Sequence, residues 1–271
     1  MSVSLAQGVA TVGRSVPILV SGFLAVLAFW LVYSNYGTLV APSPAGMVMF
    51  ESLPPVHTFL DLQFLASGRT VPFAQAAAFG VGLVVVRAIL QSFWISLMLE
   101  SYAGRRTMRS ALRPAVHRAL RAFRTMLGVE ATFVVIALVS VFLASQVLGP
   151  GFGQIAVIGA LMGGGFFLIL APVVAVAEAE GLATTLRLSI RGARVPGPRH
   201  SMLTFSYLAF TLLSSALTPG SAAAAATPSL LTWSYALFMS FLNLSVLAAY
   251  TYRWLVIRQP VVEAVEASVR R

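Results

Sequence analysis

The sequence predicts an all-α, polytopic membrane protein with six transmembrane helices, basic amphipathic helices on the cytoplasmic side and both termini in the cytoplasm. Three observations carry that prediction. Hydrophobic residues make up 58% of the 271 residues and charged ones 10%, with a mean hydropathy of +0.88, far more apolar than a soluble domain of ordinary composition. Six stretches are long enough to cross a hydrocarbon core of about 30 Å, which takes about 20 apolar residues at ~1.5 Å each. The arginines, finally, fall almost entirely on alternate connections between those stretches.

The predicted spans run near Val16 to Ser34, Phe73 to Leu99, Met126 to Leu148, Phe152 to Ala177, Met202 to Leu217 and Leu230 to Ile257. The first follows Arg14 and precedes small residues around Ala41 to Gly46, as a secretory signal would. Its apolar run is longer than a signal core and its start carries one charge, so an uncleaved span is expected. The fourth holds Gly159, Gly163, Gly164, Gly165 and Pro172. A G-x-x-x-G pair lets helix backbones approach, and adjacent glycines with a proline also permit a hinge; close packing is the expectation here. The chain reads as one integral membrane domain, 1–271, with cytoplasmic arms at 105–125 and 179–194 and a short C-terminal tail at 259–271.

All eighteen basic residues are arginine. Sixteen lie on one side of a six-span topology, at Arg14, from Arg105 to Arg124, from Arg187 to Arg199 and from Arg253 onward. Arg69 falls on the other side and Arg87 within a span. The positive-inside rule therefore places both termini in the cytoplasm. Trp30, Tyr33, Tyr36, Trp233 and Tyr235 are expected in an outer aromatic belt, and Trp94, Tyr250, Tyr252 and Trp254 in an inner one. The outer connection from Asn35 to Thr70 reads as a loop in which Phe59, Leu60, Leu62, Phe64 and Leu65 form a short surface helix. Arginine in place of lysine, with heavy use of Ala, Gly and Val, points to a GC-rich prokaryotic genome and hence to a multi-pass protein of the inner (plasma) membrane.

The first arm places Met108, Leu112, Val116, Leu120 and Phe123 at helical spacing. A stripe of Arg106, Arg109, Arg113, His117, Arg121 and Arg124 runs beside them, which makes a basic amphipathic helix. Arg105, Arg106, Arg109, Arg113, Arg118, Arg121, Arg124, Arg187 and Arg191 are the candidate contacts for anionic headgroups, each worth about 1 kcal/mol near a charged surface. Anionic lipid and a membrane protein partner are the expected partners. Nucleic acid is not, because positive-inside bias alone produces the basic pI. The second arm repeats the first at a fixed offset, with Glu100 matching Glu178, Thr107 matching Thr185, Arg109 matching Arg187 and Arg113 matching Arg191, as an internal duplication would.

Pro172, Glu178 or Glu180, Gly181, Leu186, Arg187 and Ser189, together with the earlier RSALRPAVHRALR, resemble the membrane domain found with glycerophosphoryl diester phosphodiesterases and its stand-alone relatives. In those proteins a proline-bearing span runs to a Glu-Gly at the membrane exit and then to a short helix. The likeness covers roughly Gln91 to His200 and implies a helical membrane fold. It brings no catalytic barrel, since nothing beyond Arg258 is long enough to encode one.

Arg87 is the strongest single lead. A charge at bilayer depth costs ~2.5 to 3.5 kcal/mol on insertion scales, so it faces a partner or a wet cavity. Glu130 is its expected partner, with Asn243 joining a polar site. Catalysis has little support: cysteine is absent, which excludes disulfides and thiolate chemistry, and His57, His117 and His200 read as scattered, solvated residues. No cofactor is expected. The sequence thus favours a non-catalytic membrane protein that engages anionic lipid or a partner through its arms, a membrane-organising protein or complex subunit, over a small-substrate or lipid transporter with a cleft near Arg87.

Overall fold

The computed structural model of the protein describes residues 3–36, 51–58, 73–104, 108–147, 153–195, 198–217 and 230–269, and among them every regular element is helical. In chain order these are α1 (Val3–Arg14), α2 (Val16–Tyr36), α3 (Phe73–Tyr102), α4 (Met108–Val147), α5 (Gly153–Leu168), α6 (Ala171–Glu178), α7 (Leu182–Ala193), α8 (Pro198–Leu217) and α9 (Leu230–Val269). Among the described residues three stretches are long and apolar enough to cross a membrane, Gly80–Tyr102, Arg109–Ala144 and Ile158–Glu178. A fourth is reached if α1 and α2, bent by 83°, count as one. The outward side of α4 carries Val135, Leu138, Val139, Phe142 and Leu143, all exposed, the apolar surface of a helix that meets hydrocarbon rather than water.

Local chemistry explains where the helices break. Pro17 has no N–H to return to α1, so the helix cannot run through, and the Ser15 carbonyl instead starts α2 by accepting from the amides of Ile18 and Leu19 at 3.0 and 3.3 Å. α3 closes at Gly104, whose φ of +86° suits only glycine without strain. The expected fourth span is interrupted: α5 stops at Leu168, Ile169 and Leu170 form a turn, and Pro172 lies in the first turn of α6. Gly159 and Gly163 meet no neighbouring atom where a Cβ would stand, whereas Gly165 lies against Pro55, 3.0 Å from that Cβ position. The glycine-rich stretch therefore serves one close approach at Gly165 beside a helix break, and the expected packing through Gly159 and Gly163 is not what these residues do among the described neighbours.

The first expected arm and the expected tail turn out to be extensions of the body. The first is continuous with its span in the 40 residues of α4, with Pro114 inside it. The residues read as a C-terminal tail continue α9 helically to Val269. α1, which was not expected as a separate element, lies along α9, where Gly8 faces the Ser245 carbonyl and the Ala249 amide so closely that a Cβ would collide with backbone.

The core gathers Trp94, Trp254, Tyr250, Phe133, Met98 and Met126, all fully buried. Trp94, Tyr250 and Trp254 are thus interior residues and not an inner belt. Each polar handle has found a partner inside: Trp94 Nε1 donates to Ser21 Oγ at 3.2 Å, Trp254 Nε1 to Glu178 Oε1 at 2.9 Å, and Tyr250 and Thr204 share a bond of 2.9 Å. The side chains of Trp30, Tyr33, Tyr36 and Tyr235 and the surface helix expected from Phe59 lie outside the described residues.

The α1–α9 contact yields a paired test. Gly8→Ala should lower thermal stability in detergent by ~1 to 3 kcal/mol, the range for overpacking a tight contact. Gly13→Ala, where a Cβ meets open space, should be neutral or stabilise by up to about 1 kcal/mol through helix propensity.

Candidate functional site

Residues 51–58, ESLPPVHT, are buried without exception, although their composition reads as an outer loop. Pro54 and Pro55 occupy the start of a single helical turn, where no N–H is required, and the Leu53 carbonyl accepts from Val56 N at 2.9 Å. Several of the remaining polar groups are met by surrounding helices. Leu53 N donates to Tyr207 Oη of α8 at 3.0 Å, Gln91 Nε2 of α3 donates to the Ser52 carbonyl at 2.7 Å, and Ser240 Oγ of α9 donates to Glu51 Oε1 at 2.5 Å. Gly22 on α2 leaves room beside Glu51 Oε1, which would stand 3.5 Å from a Cβ there. Irregular backbone inside apolar surroundings survives only with such partners.

His57 joins this segment to α4. Its Nδ1 lies 2.9 Å from the Ser52 carbonyl and its Nε2 2.7 Å from Glu130 Oε2, with His57 2% and Glu130 1% exposed. The solvated reading of His57 is overturned, and that of His200 with it, since His200 is also buried. His200 Nε2 donates to the Phe166 carbonyl at 3.0 Å and Ser189 Oγ to the Phe167 carbonyl at 2.9 Å. Both carbonyls sit one turn ahead of the α5–α6 break, so the bend is held by side chains from α8 and α7. His117 is exposed on α4, where Arg121 Nη2 donates to its Nε2 at 3.2 Å.

Arg87, Glu130 and Asn243 are all buried. Glu130 Oε2 is met by His57. Arg87 has interactions of its own and lies one helical turn before Gln91, on the face of α3 that reaches the segment. Asn243 reaches the same region through Tyr207, whose hydroxyl points to Asn243 Oδ1 at 3.4 Å. Among the described residues four buried oxygens here find no hydrogen-bond partner: Glu51 Oε2, Thr58 Oγ1, Gln91 Oε1 and Glu130 Oε1. The described residues contain no group of three or more His, Cys, Asp or Glu able to hold a metal. Glu51, His57 and Tyr207 were missed from sequence; the available signal was a Glu and a His flanking Pro-Pro in a mostly apolar connection.

The two arms differ. On α4, Ala111, Ala115 and Ala122 face the protein while Leu112, Val116 and Leu120 are exposed, Leu120 at 72%. Arg109, Arg113, Arg121 and Arg124 are exposed beside them. Arg118 is instead tied to the buried Glu100 at 3.0 Å. Arg105 and Arg106 lie outside the described residues. The second arm, α7, spends its less polar face on the protein: Leu188, Ser189, Gly192 and Ala193 are buried, and Gly192 sits against Leu170, Ile257 and Trp254. Arg187 remains exposed and Arg191 half-buried.

Gly181 is the N-cap of α7, and Ala179 ahead of it takes a left-handed φ of 53° at the end of α6. Glu178 receives two bonds from Arg258, at 2.7 and 2.8 Å, besides that from Trp254. Glu180 is exposed, and its carbonyl accepts from Thr125 Oγ1 at 2.8 Å. The matched acids of the internal repeat, Glu100 and Glu178, thus each bind an arginine at a helix exit. Comparison with protein-family models, curated proteins and solved structures finds no match to this chain.

A double-mutant cycle tests the His57–Glu130 contact. Removing one partner of a buried charged pair costs ~3 to 5 kcal/mol, whereas replacing both with apolar groups recovers much of that. His57→Leu and Glu130→Leu should each lower thermal stability in detergent, and the double variant should be more stable than the sum of the two losses implies; strict additivity would show the residues uncoupled.

Proposed function

We propose that this protein is a non-catalytic, six-span integral membrane protein of a prokaryotic inner membrane, with cytoplasmic termini, whose first arm engages anionic lipid. The observation that carries this reading is the exposed stripe of Leu112, Val116 and Leu120 beside Arg109, Arg113, Arg121 and Arg124 on α4. An apolar stripe at i, i+4 and i+8 next to guanidiniums suits the boundary between acyl chains and phosphate headgroups. The second arm, docked on the protein, offers Arg187 to the same surface. Membership of the phosphodiesterase-associated membrane family rests on the motif from Pro172 to Ser189 and belongs to this proposal.

A transporter is the second reading, favoured by one observation: Glu51, Arg87, His57 and Glu130 are all ionisable and buried within the helices. Ionisable groups at membrane depth mark substrate or ion paths more often than structure alone.

Replacing Arg109, Arg113, Arg121 and Arg124 together by Gln should reduce retention of anionic lipid, read by lipid co-purification, by up to about 1 kcal/mol per charge. Arg118→Gln should leave retention unchanged and act on stability through Glu100. Equal retention by parent and quadruple variant would reduce the arm to a passive surface helix. Topology is tested separately. Because the chain has no cysteine, single cysteines introduced at Ser2, Arg109 and Arg187 should all label from the cytoplasmic side and one at Arg69 from the opposite side. Labelling of position 2 and position 109 from opposite sides would reject the six-span reading.

A further inference from the structure

We propose that the gap between His57 Nε2 and Glu130 Oε2 is a proton-binding site, and that the bound proton latches residues 51–58 to α4. The Ser52 carbonyl can only accept a hydrogen bond, so the hydrogen of His57 that faces it, 2.9 Å away, resides on Nδ1. With Nδ1 assigned, neutral His57 presents a lone pair at Nε2. Glu130 Oε2 stands 2.7 Å from that atom, and an ionised carboxylate also presents only lone pairs. Two lone pairs at that distance repel, so the contact requires one proton in the gap. The pair then holds that proton either as imidazolium with carboxylate or as neutral imidazole with carboxylic acid, and its net charge is zero in both forms. When the proton leaves for water, the N–H or O–H bond breaks, its electrons stay on nitrogen or oxygen, and the pair becomes a monoanion with no bond across it.

The consequence is mechanical because of where the latch sits. Among the described residues His57 links the segment to α4 through its side chain, and Glu130 Oε1 has no hydrogen-bond partner there to replace it. The other elements against the segment are α2, α3, α5, α8 and α9, through Gly22, Gln91, Gly165, Tyr207 and Ser240. Among the described side chains the titratable and charged groups they bring are few: Arg87 on α3, Tyr207 on α8 and, behind Tyr207, Tyr250 on α9, with Glu51 on the segment itself and none from α5. Arg87 is the cation on the helix face that supports the segment.

The chain holds three histidines, so the full-length protein labelled with nitrogen-15 histidine in lipid nanodiscs gives a readable spectrum. His57 should show the tautomer with hydrogen on Nδ1 and His200 the opposite one, since its Nε2 donates to the Phe166 carbonyl. Exposed His117 serves as the reference. As pH rises, His57 Nε2 should pass once from a proton-sharing to a bare-nitrogen signal. In Glu130→Gln the amide supplies a permanent hydrogen, so that transition should vanish while that of His117 remains. Hydrogen exchange compared at one alkaline pH should then be faster across 51–58 in the parent than in Glu130→Gln, and equal in the two at acidic pH. A His57 with its hydrogen fixed on Nε2, or one with no transition, overturns the proposal. So does the same transition in both proteins, or equal exchange at both pH values. If Glu130→Gln fails to fold, as altered His117 and His200 signals would reveal, the tautomer and transition of parental His57 decide alone.

Discussion

Peptide groups that leave helical geometry among apolar helices must each be given a partner, and in this protein that requirement falls on residues 51–58. The surrounding helices are arranged to meet it. α3 contributes Gln91 and α8 Tyr207 to its backbone, α4 Glu130 and α9 Ser240 to its His57 and Glu51 side chains, while α5 contributes a glycine where a larger residue would press on Pro55 and α2 one where it would press on Leu244 of α9. An empty centre would let these helices repack on one another through Leu, Val and Ala. Filled by a polar turn, they are tied to a single arrangement, because a shift of any one strands a buried donor or acceptor at a cost of about 1 to 3 kcal/mol.

The same logic recurs at the periphery, where helix ends and breaks are held by side chains distant in sequence. The bend between α5 and α6 is met by His200 and Ser189. The end of α6 is met by Arg258 and Trp254 through Glu178, and the end of α3 by Arg118 through Glu100. Glu178 is the more strongly held of the two acids, since the guanidinium fork grips both its oxygens and the indole adds a third bond. An acid at each exit, each bound by an arginine from another helix, is a physical reason for a glutamate to stand at both.

Much of the helical content was legible because apolar runs of about 20 residues and a 3.6-residue period are local properties of the chain. The arginine-rich face of α4 was visible for the same reason. α1 was not, since VSLAQGVATVGR is short and only partly apolar, and what holds it is Gly8 against the backbone of Ser245 and Ala249, far along the chain. Trp94, Tyr250 and Trp254 were read as interfacial because an aromatic with a polar handle usually sits there; the partners that permit burial, Ser21, Thr204 and Glu178, are likewise distant. ESLPPVHT carries every mark of a surface turn, and only the convergence of four helices makes it interior. Arg87 stood out as a lone charge in an apolar run, but nothing in the sequence says that Glu130 would be taken by a histidine from a loop.

The continuity of α4 binds two regions that the sequence keeps apart. Its 40 residues make a rod about 60 Å long, and between Arg121 on the basic face and Glu130 at the buried segment there is neither proline nor glycine-driven break, only about 14 Å of unbroken helix. A rod has one tilt. Whatever tilts the arginine end moves the carboxylate end with it, so the placement of the basic face and the seating of His57 are quantities on one lever.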